Sequence, residues 1–145
     1  MREVRRSALV PVPAGDMFAL VNDVAAYPQF LPWCRRATVH AAGEDHLEAT
    51  LELAQGGFSG AFRTRNRLQP GRGIDVRLVD GPFRMLEGRW QFDPIDDGAS
   101  RVAVSMRYQF ANPLAGLVFS RIIDDALNTL VDTFTRRARA VHVFG

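Results

Sequence analysis

The side chains that most often perform catalysis are few in this sequence, and they are scattered. Its three histidines are His40, His46 and His142, and no H-E-x-x-H, C-x-x-C or G-x-S-x-G motif is present. The histidines are therefore predicted to lie on the solvated surface, and no metal site is expected. Cys34 has no histidine close to it in the sequence, which is typical of a small buried residue rather than a nucleophile.

One pair of adjacent acids remains as a candidate for acid–base chemistry. Asp124 and Asp125 fall in a helical pattern, where neighbouring residues point in different directions, and both are assigned to the polar face. The sequence therefore predicts no catalytic residues and a protein that is not an enzyme.

All of the positive charge comes from arginine. The chain has 18 basic residues, none of them lysine, and 16 acidic residues, for a formal net charge of +2. The absence of lysine excludes Schiff-base and P-loop lysine chemistry. Arginine binds phosphate through two parallel hydrogen bonds, which favours phosphate recognition, although a GC-rich coding sequence explains the same composition.

The length of 145 residues, of which 47% are hydrophobic, predicts one globular domain, 1–145. No apolar run reaches the length of about 18 residues that spans a membrane. The charged stretch Met1–Ser7 leads into no apolar segment, so no signal peptide is predicted. A single cysteine suits a reducing compartment, and the expected location is cytoplasmic.

Hydrophobic residues alternate with polar ones from about residue 35 to 111, and turn-like breaks such as Pro70–Gly73 separate the runs. This pattern predicts an antiparallel sheet with one apolar and one charged face. After Asn112-Pro113 the apolar residues recur every three or four positions, which predicts a long helix. The predicted fold class is α+β: a curved sheet wrapped around a long C-terminal helix, with short helices after a first strand at residues 4–10.

Three blocks resemble a known family, in one register along the chain. They are Asp23–Cys34, which reads D-x-x-x-Y-x-x-F-x-P-W-C; Asp80–Phe83 followed by Gly88-x-Trp90-x-Phe92; and Tyr108-x-Phe110-x-Asn112-Pro113-Leu114. They are similar to the coenzyme-Q-binding protein and ribosome-association toxin family of the START-like (SRPBCC, polyketide cyclase/dehydrase) superfamily. The resemblance implies the helix-grip fold. It also implies either quinone binding or association with the large ribosomal subunit that blocks subunit joining, with a polyketide cyclase or aromatase as a third possibility.

The inward face of the predicted sheet suits a hydrophobic ligand. It is apolar apart from Thr64, Asn66 and Tyr108, which can orient a ligand or can be satisfied by neighbouring groups. The predicted ligand-binding residues are Phe62, Thr64, Asn66, Trp90, Phe92, Tyr108 and Phe110. The resemblance makes a polyprenyl quinone such as ubiquinone the expected ligand, bound without catalysis in support of cellular respiration.

A proline-rich aromatic segment precedes the sheet, and two interpretations of it stay open. It is either an end plug for the core or a gate over the cavity mouth that touches a membrane surface to collect a lipid. The gate interpretation would place the protein at the inner membrane for part of the time. The predicted gate residues are Tyr27, Pro28, Phe30, Leu31, Trp33 and Phe83.

Arginines dominate the outward face of the predicted sheet. Arg63, Arg65 and Arg67 take consecutive outward positions, about 7 Å apart along one strand, and form a basic patch that suits RNA phosphates. The alternative is cross-strand pairing with Glu48 and Glu52. No aromatic RNA-binding signature is present. The expected nucleic-acid partner is the RNA of the large ribosomal subunit, and DNA is not expected.

Overall fold

The computed structural model describes residues 2–55 and 57–144, except for the side chains at positions 58 and 142–144, so the prediction for His142 lies outside the described residues. The strands are β1 (Arg2–Val10), β2 (Cys34–Ala42), β3 (His46–Gln55), β4 (Phe58–Gln69), β5 (Gly73–Asp80), β6 (Phe83–Asp96) and β7 (Ala99–Phe110). Helix α1 (Ala14–Asn22) and a 3-10 helix (Val24–Gln29) separate β1 from β2, and helix α2 (Pro113–Phe144) follows β7.

The seven strands form one antiparallel sheet in the order β1-β7-β6-β5-β4-β3-β2. Strands β2 to β7 are a meander of hairpins, and β1 pairs with the last strand. Glycine permits the tight connection between β4 and β5, where Gly71 has a φ of 75°. The predicted curved antiparallel sheet with a long C-terminal helix is confirmed.

Helix α2 begins where its sequence predicts. The side-chain oxygen of Asn112 accepts a 2.8 Å hydrogen bond from the backbone N–H of Ala115, and Pro113 occupies the first helical position. The apolar stripe of α2 is buried against the inner face of the sheet; its buried members are Ile122, Ile123, Ala126, Leu130, Val131, Phe134 and Ala138. None of the helices in the described residues is long and apolar enough to cross a membrane.

Phe134 joins three parts of the fold. Its ring centroid lies 5.5 Å from that of Trp90 on β6, and 5.3 Å from those of Tyr27 in the 3-10 helix and Phe30 directly after it. All three contacts are edge-to-face, a geometry that aromatic quadrupoles favour. Only 1% of Phe134 is exposed, so the same side chain fixes the distance between helix and sheet and holds the segment before β2 in place.

Ser100 ties the start of β7 to the chain between β1 and α1. It is fully buried, and its hydroxyl donates a 2.8 Å hydrogen bond to the carbonyl of Val12. Ser100→Ala leaves this carbonyl unpaired and is expected to lower the free energy of unfolding by about 1–3 kcal/mol in urea unfolding. The control Ser7→Ala changes an exposed strand serine and is expected to shift stability by less than about 0.5 kcal/mol. Equal losses in the two variants would contradict this role for Ser100.

Candidate functional site

A cavity of about 110 Å³ lies between the inner face of the sheet and the helices. Strands β3 to β7 give one wall, α2 gives the other, and residues 21–33 contribute at one end. Among the described lining residues there is no aspartate, glutamate, histidine or arginine. A cavity of this size admits roughly one aromatic ring, so a polyprenyl chain would have to extend outside it.

Two polar side chains interrupt the apolar wall. Thr64 and Asn66 stand two residues apart on β4, both facing inward and both at least nine-tenths buried. The amide oxygen of Asn66 has no hydrogen-bond partner among the described residues. Because an unpaired buried carbonyl costs about 1–3 kcal/mol, a ligand that donates a hydrogen to it would recover that free energy. Asn66 is therefore the group best placed to orient a polar head.

The structure brings four of the seven predicted ligand-binding residues to the cavity wall: Phe62, Thr64, Asn66 and Trp90. Phe92 lies behind the wall, where it stacks on Trp90 with a centroid distance of 6.0 Å. Tyr108 and Phe110 pack around Phe83, at 6.2 and 5.3 Å. Alternation places all seven residues on one face of the sheet, but the cavity occupies only part of that face.

Asp124 corrects one sequence prediction. It accepts a 2.6 Å hydrogen bond from the hydroxyl of Tyr108, and its second oxygen lies 2.7 Å from the guanidinium of Arg2. Its assignment to the polar face is wrong because it sits at the border of the apolar stripe, within reach of β1 and β7. Burial, with the bond to Asp124, raises the pKa of Tyr108, which stays protonated at neutral pH. Asp125 is exposed, so the two aspartates form no inward-facing pair.

The predicted gate residues divide into three groups. Tyr27 and Trp33 line the cavity, and the hydroxyl of Tyr27 donates to the carbonyl of Val21. Leu31 and Phe30 pack against other parts of the protein: Leu31 is buried, and Phe30 lies between Phe134 and the guanidinium of Arg137, which is 5.1 Å from the Phe30 ring centroid. Pro28 is exposed.

Phe83 lies apart from this segment, 6.0 Å from Phe62. The internal contacts of the segment are those of an end plug, and the gating role stays a prediction.

The structure describes the surroundings of Cys34 and of two of the three histidines. Cys34 is buried, and burial raises the pKa of its thiol to about 11, so it is protonated at neutral pH. His40 is exposed and hydrogen-bonded to Thr50 at 2.7 Å, and the exposed His46 is 2.9 Å from a carboxylate oxygen of Asp45. Within residues 2–55 and 57–144, no group of three histidine, cysteine or acidic side chains could hold a metal ion.

On the outer face, Arg63 and Arg65 share the carboxylate of Glu48. Nε of Arg63 lies 2.9 Å from one oxygen, and Nη2 of Arg65 lies 2.8 Å from the other. The cross-strand pairing with Glu48 is therefore present, whereas Glu52 pairs with arginines of β2 instead. The predicted basic patch carries less free positive charge than its sequence indicates, and only Arg67 of its three members makes no ion pair within the described part of the chain.

Comparison with known proteins decides the family. Residues 10–135 match the family model described as polyketide cyclase / dehydrase and lipid transport. The chain belongs to this family. Ribosome association toxin RatA of Vibrio cholerae is 42% identical over 142 residues, which cover 98% of this chain and 99% of that protein. Coenzyme Q-binding protein COQ10 of Dictyostelium discoideum is 24% identical over 129 residues, which cover 86% of this chain and 63% of that protein.

Two solved structures share the fold. A START superfamily protein from Mycobacterium smegmatis superposes with a TM-score of 0.79 at 21% identity, over 96% of this chain and 98% of its own. The Zhui aromatase/cyclase from Streptomyces sp. R1128 gives a TM-score of 0.77 at 18% identity, over 95% and 93%. The family and helix-grip fold predicted from the three sequence blocks are confirmed.

Glu48 makes the stability of this family member depend on pH. Hydrogen bonds from Arg63, reinforced by Arg65, hold the pKa of Glu48 below its usual range. The stabilisation is therefore fully present above the unfolded-state pKa of about 4.3 and is lost as the pH falls through the lower folded-state value. We expect Glu48→Gln to destabilise the protein at pH 7 and to differ progressively less from wild type below pH 4.

Urea unfolding of both proteins from pH 3 to 7 measures this difference. Glu44→Gln, at an exposed acid between β2 and β3, is the matched control and should leave the pH profile unchanged. A difference for Glu48→Gln that stays constant over the whole range would contradict the assignment.

Proposed function

We propose that this protein associates with the ribosome and acts as an inhibitor of translation. The observation that carries the proposal is the 42% identity, over almost the full length of both chains, to a protein named as a ribosome association toxin. A second such protein, from Escherichia coli K12, is 38% identical over 98% of this chain. A match over almost the full length of both chains supports a shared activity more strongly than a match confined to one motif.

The proposed contact is with the large subunit, where occupation of the joining surface would prevent assembly with the small subunit. The outer face of the sheet is available for this contact because α1 and α2 both pack on the inner face. A cytoplasmic location follows from the proposal.

Sedimentation with separated subunits tests this function. The purified protein is expected to co-sediment with large but not small subunits and to reduce the yield of joined particles in sucrose gradients. The START superfamily protein from Mycobacterium smegmatis has the same fold at 21% identity and is the fold-matched control. Equal behaviour of the two proteins, or no binding to either subunit, would contradict the proposal.

A second function is favoured by the unpaired amide of Asn66. We propose that the cavity binds, without catalysis, a hydrophobic ligand whose ring carries oxygen atoms, with a polyprenyl quinone such as ubiquinone as the candidate. A ring in the cavity would contact Phe62 and Trp90. Its carbonyl oxygens would accept hydrogen bonds from the hydroxyl of Thr64 and the amide N–H of Asn66, and in the reduced quinol a ring hydroxyl would donate to the unpaired amide oxygen of Asn66. The tail would extend outside the cavity, so a cavity with the volume of about one ring is sufficient. An exposed tail would also allow transient contact with a membrane surface.

The described lining has no charged or histidine side chain, and the hydroxyl of its tyrosine, Tyr27, donates to the carbonyl of Val21 and has a pKa that burial raises. This supports binding over catalysis, because a cyclase needs a group that moves protons. The hydroxyl of Tyr108 and the thiol of Cys34 lie outside that lining and are both protonated at neutral pH.

Asn66→Leu tests the ligand proposal. The variant removes the amide but keeps the number and branching of the side-chain non-hydrogen atoms, so we expect about tenfold weaker binding of a short-chain ubiquinone, equivalent to about 1.4 kcal/mol. Quenching of tryptophan fluorescence reports binding because Trp33 and Trp90 line the cavity. Asn22→Leu is the matched control, since its amide oxygen is also buried and unpaired but lies outside the lining. Equal affinities of the two variants, or no quenching of wild type, would contradict the proposal.

A further inference from the structure

Charge on the outer face of the sheet is arranged in rows that run across the strands. The pairing register places six side chains of a first row next to one another: Glu48, Arg65, Arg77, Glu87, Arg107 and Glu3. This row holds three arginines and three carboxylates. It is therefore electrically balanced, although Arg65 and Arg77 stand directly opposite each other.

The next row, two residues further along each strand, is not balanced. It consists of His46, Arg67, Asp75, Arg89, Ser105 and Arg5, and we call its three arginines the arginine row. The carboxylate in this row belongs to Asp75, and one of its oxygens lies 2.7 Å from Nη1 of Arg89. Arg67 makes no ion pair among the described residues, although the nearby carboxylate of Asp45, which is hydrogen-bonded to His46, attracts it at longer range. Arg5 contacts Glu3 of the balanced row at 2.7 Å.

A third row, beyond the arginine row, has no charge. Its members are Gln69, Gly73, Gln91, Ala103 and Ser7. The small side chains leave room, and the amides and the hydroxyl offer hydrogen bonds. An excess of two positive charges is thus bordered on one side by a balanced row and on the other by a neutral polar one.

The surface along the arginine row is concave. A trough of about 970 Å³ includes Arg67 and Arg89 and extends over the balanced row, and an adjoining hollow of about 250 Å³ includes Arg5 and shares Arg89 and Ser105 with the trough. Six strands spaced by about 4.8 Å give the row a length of about 24 Å, enough for several nucleotides of an extended strand.

We infer that the arginine row binds the phosphodiester backbone of a ribosomal RNA segment laid across the strands. The inference rests on the proposed ribosome association and gives it a surface and a partner. Guanidinium groups bind phosphate oxygens in a fork, and the neutral row would meet the riboses or bases beside that backbone. An acidic ribosomal protein is the competing partner, and the test separates it from RNA.

The test compares two double variants that remove the same charge. Arg5→Gln/Arg67→Gln takes two members from the arginine row, and Arg136→Gln/Arg139→Gln takes two exposed arginines from α2. Binding to intact large subunits and to protein-free large-subunit RNA is measured from 50 to 200 mM salt. For the arginine-row variant we expect about tenfold weaker binding to both. We also expect the slope of log K against log salt to fall by about 1.4, since each single-strand phosphate contact contributes about 0.7.

Each other outcome has a distinct meaning. Wild-type levels of binding by the arginine-row variant, or equal losses in the two double variants, would overturn the inference that the arginine row binds RNA. Ribosome association itself would stand. Binding of wild type to subunits but not to free RNA would assign the contact to a ribosomal protein and overturn the inference. No binding of wild type to either would overturn the ribosome proposal as well. Unchanged thermal unfolding of both variants establishes that they are folded.

Discussion

Burial of one apolar stripe of α2 against the inner face of the sheet is the constraint on which the other features depend. Phe134 stands at its centre, in contact with Trp90, Tyr27 and Phe30. The sheet can cover a helix only by curving around it, and each inward residue must then be apolar or find a partner. Because side chains alternate along a strand, the charged residues are collected on the opposite face.

The two faces consequently have separate chemistry. The inner face provides a ring-sized cavity whose unpaired polar atom is the amide oxygen of Asn66. The outer face provides a surface whose charge is set by cross-strand register. The side chains that would hold the ligand point inward and the arginine row points outward, so the two proposed functions are compatible in one domain-sized fold, although Asn66 and Val76 border both the cavity and the outer trough. The contact of Tyr108 with Asp124 holds helix and sheet together at a position outside the cavity lining.

Much of this arrangement could be predicted from the sequence. The period of two in residues 35–111, the Asn112-Pro113 helix start and the three family blocks led to the correct fold. The same alternation assigned Thr64 and Asn66 to the inner face and Arg63, Arg65 and Arg67 to strand β4. Each of these predictions depends on spacing along the chain, which the sequence contains.

The remainder depends on contacts between distant residues. The position of Asp124 followed from its reach to β1 and β7, and the pairing of Arg63 and Arg65 with Glu48 followed from the register of β3 against β4. The sequence therefore predicted a basic patch along strand β4, whereas the structure shows the excess positive charge in a row that crosses six strands. The restriction of the cavity to part of the inner face likewise depends on how closely α2 approaches the sheet.

The orientation of the protein on the ribosome tests the central claim, that the outer sheet face meets RNA while the inner face remains free for a ligand. Cryo-electron microscopy of the protein bound to the large subunit measures it directly. We expect strands β4 to β7 and β1 to lie against an RNA backbone, with Arg67, Arg89 and Arg5 at phosphates and α2 turned to solvent. A complex in which α2 or the segment at residues 24–33 faces the ribosome and the outer sheet face is solvated would contradict it.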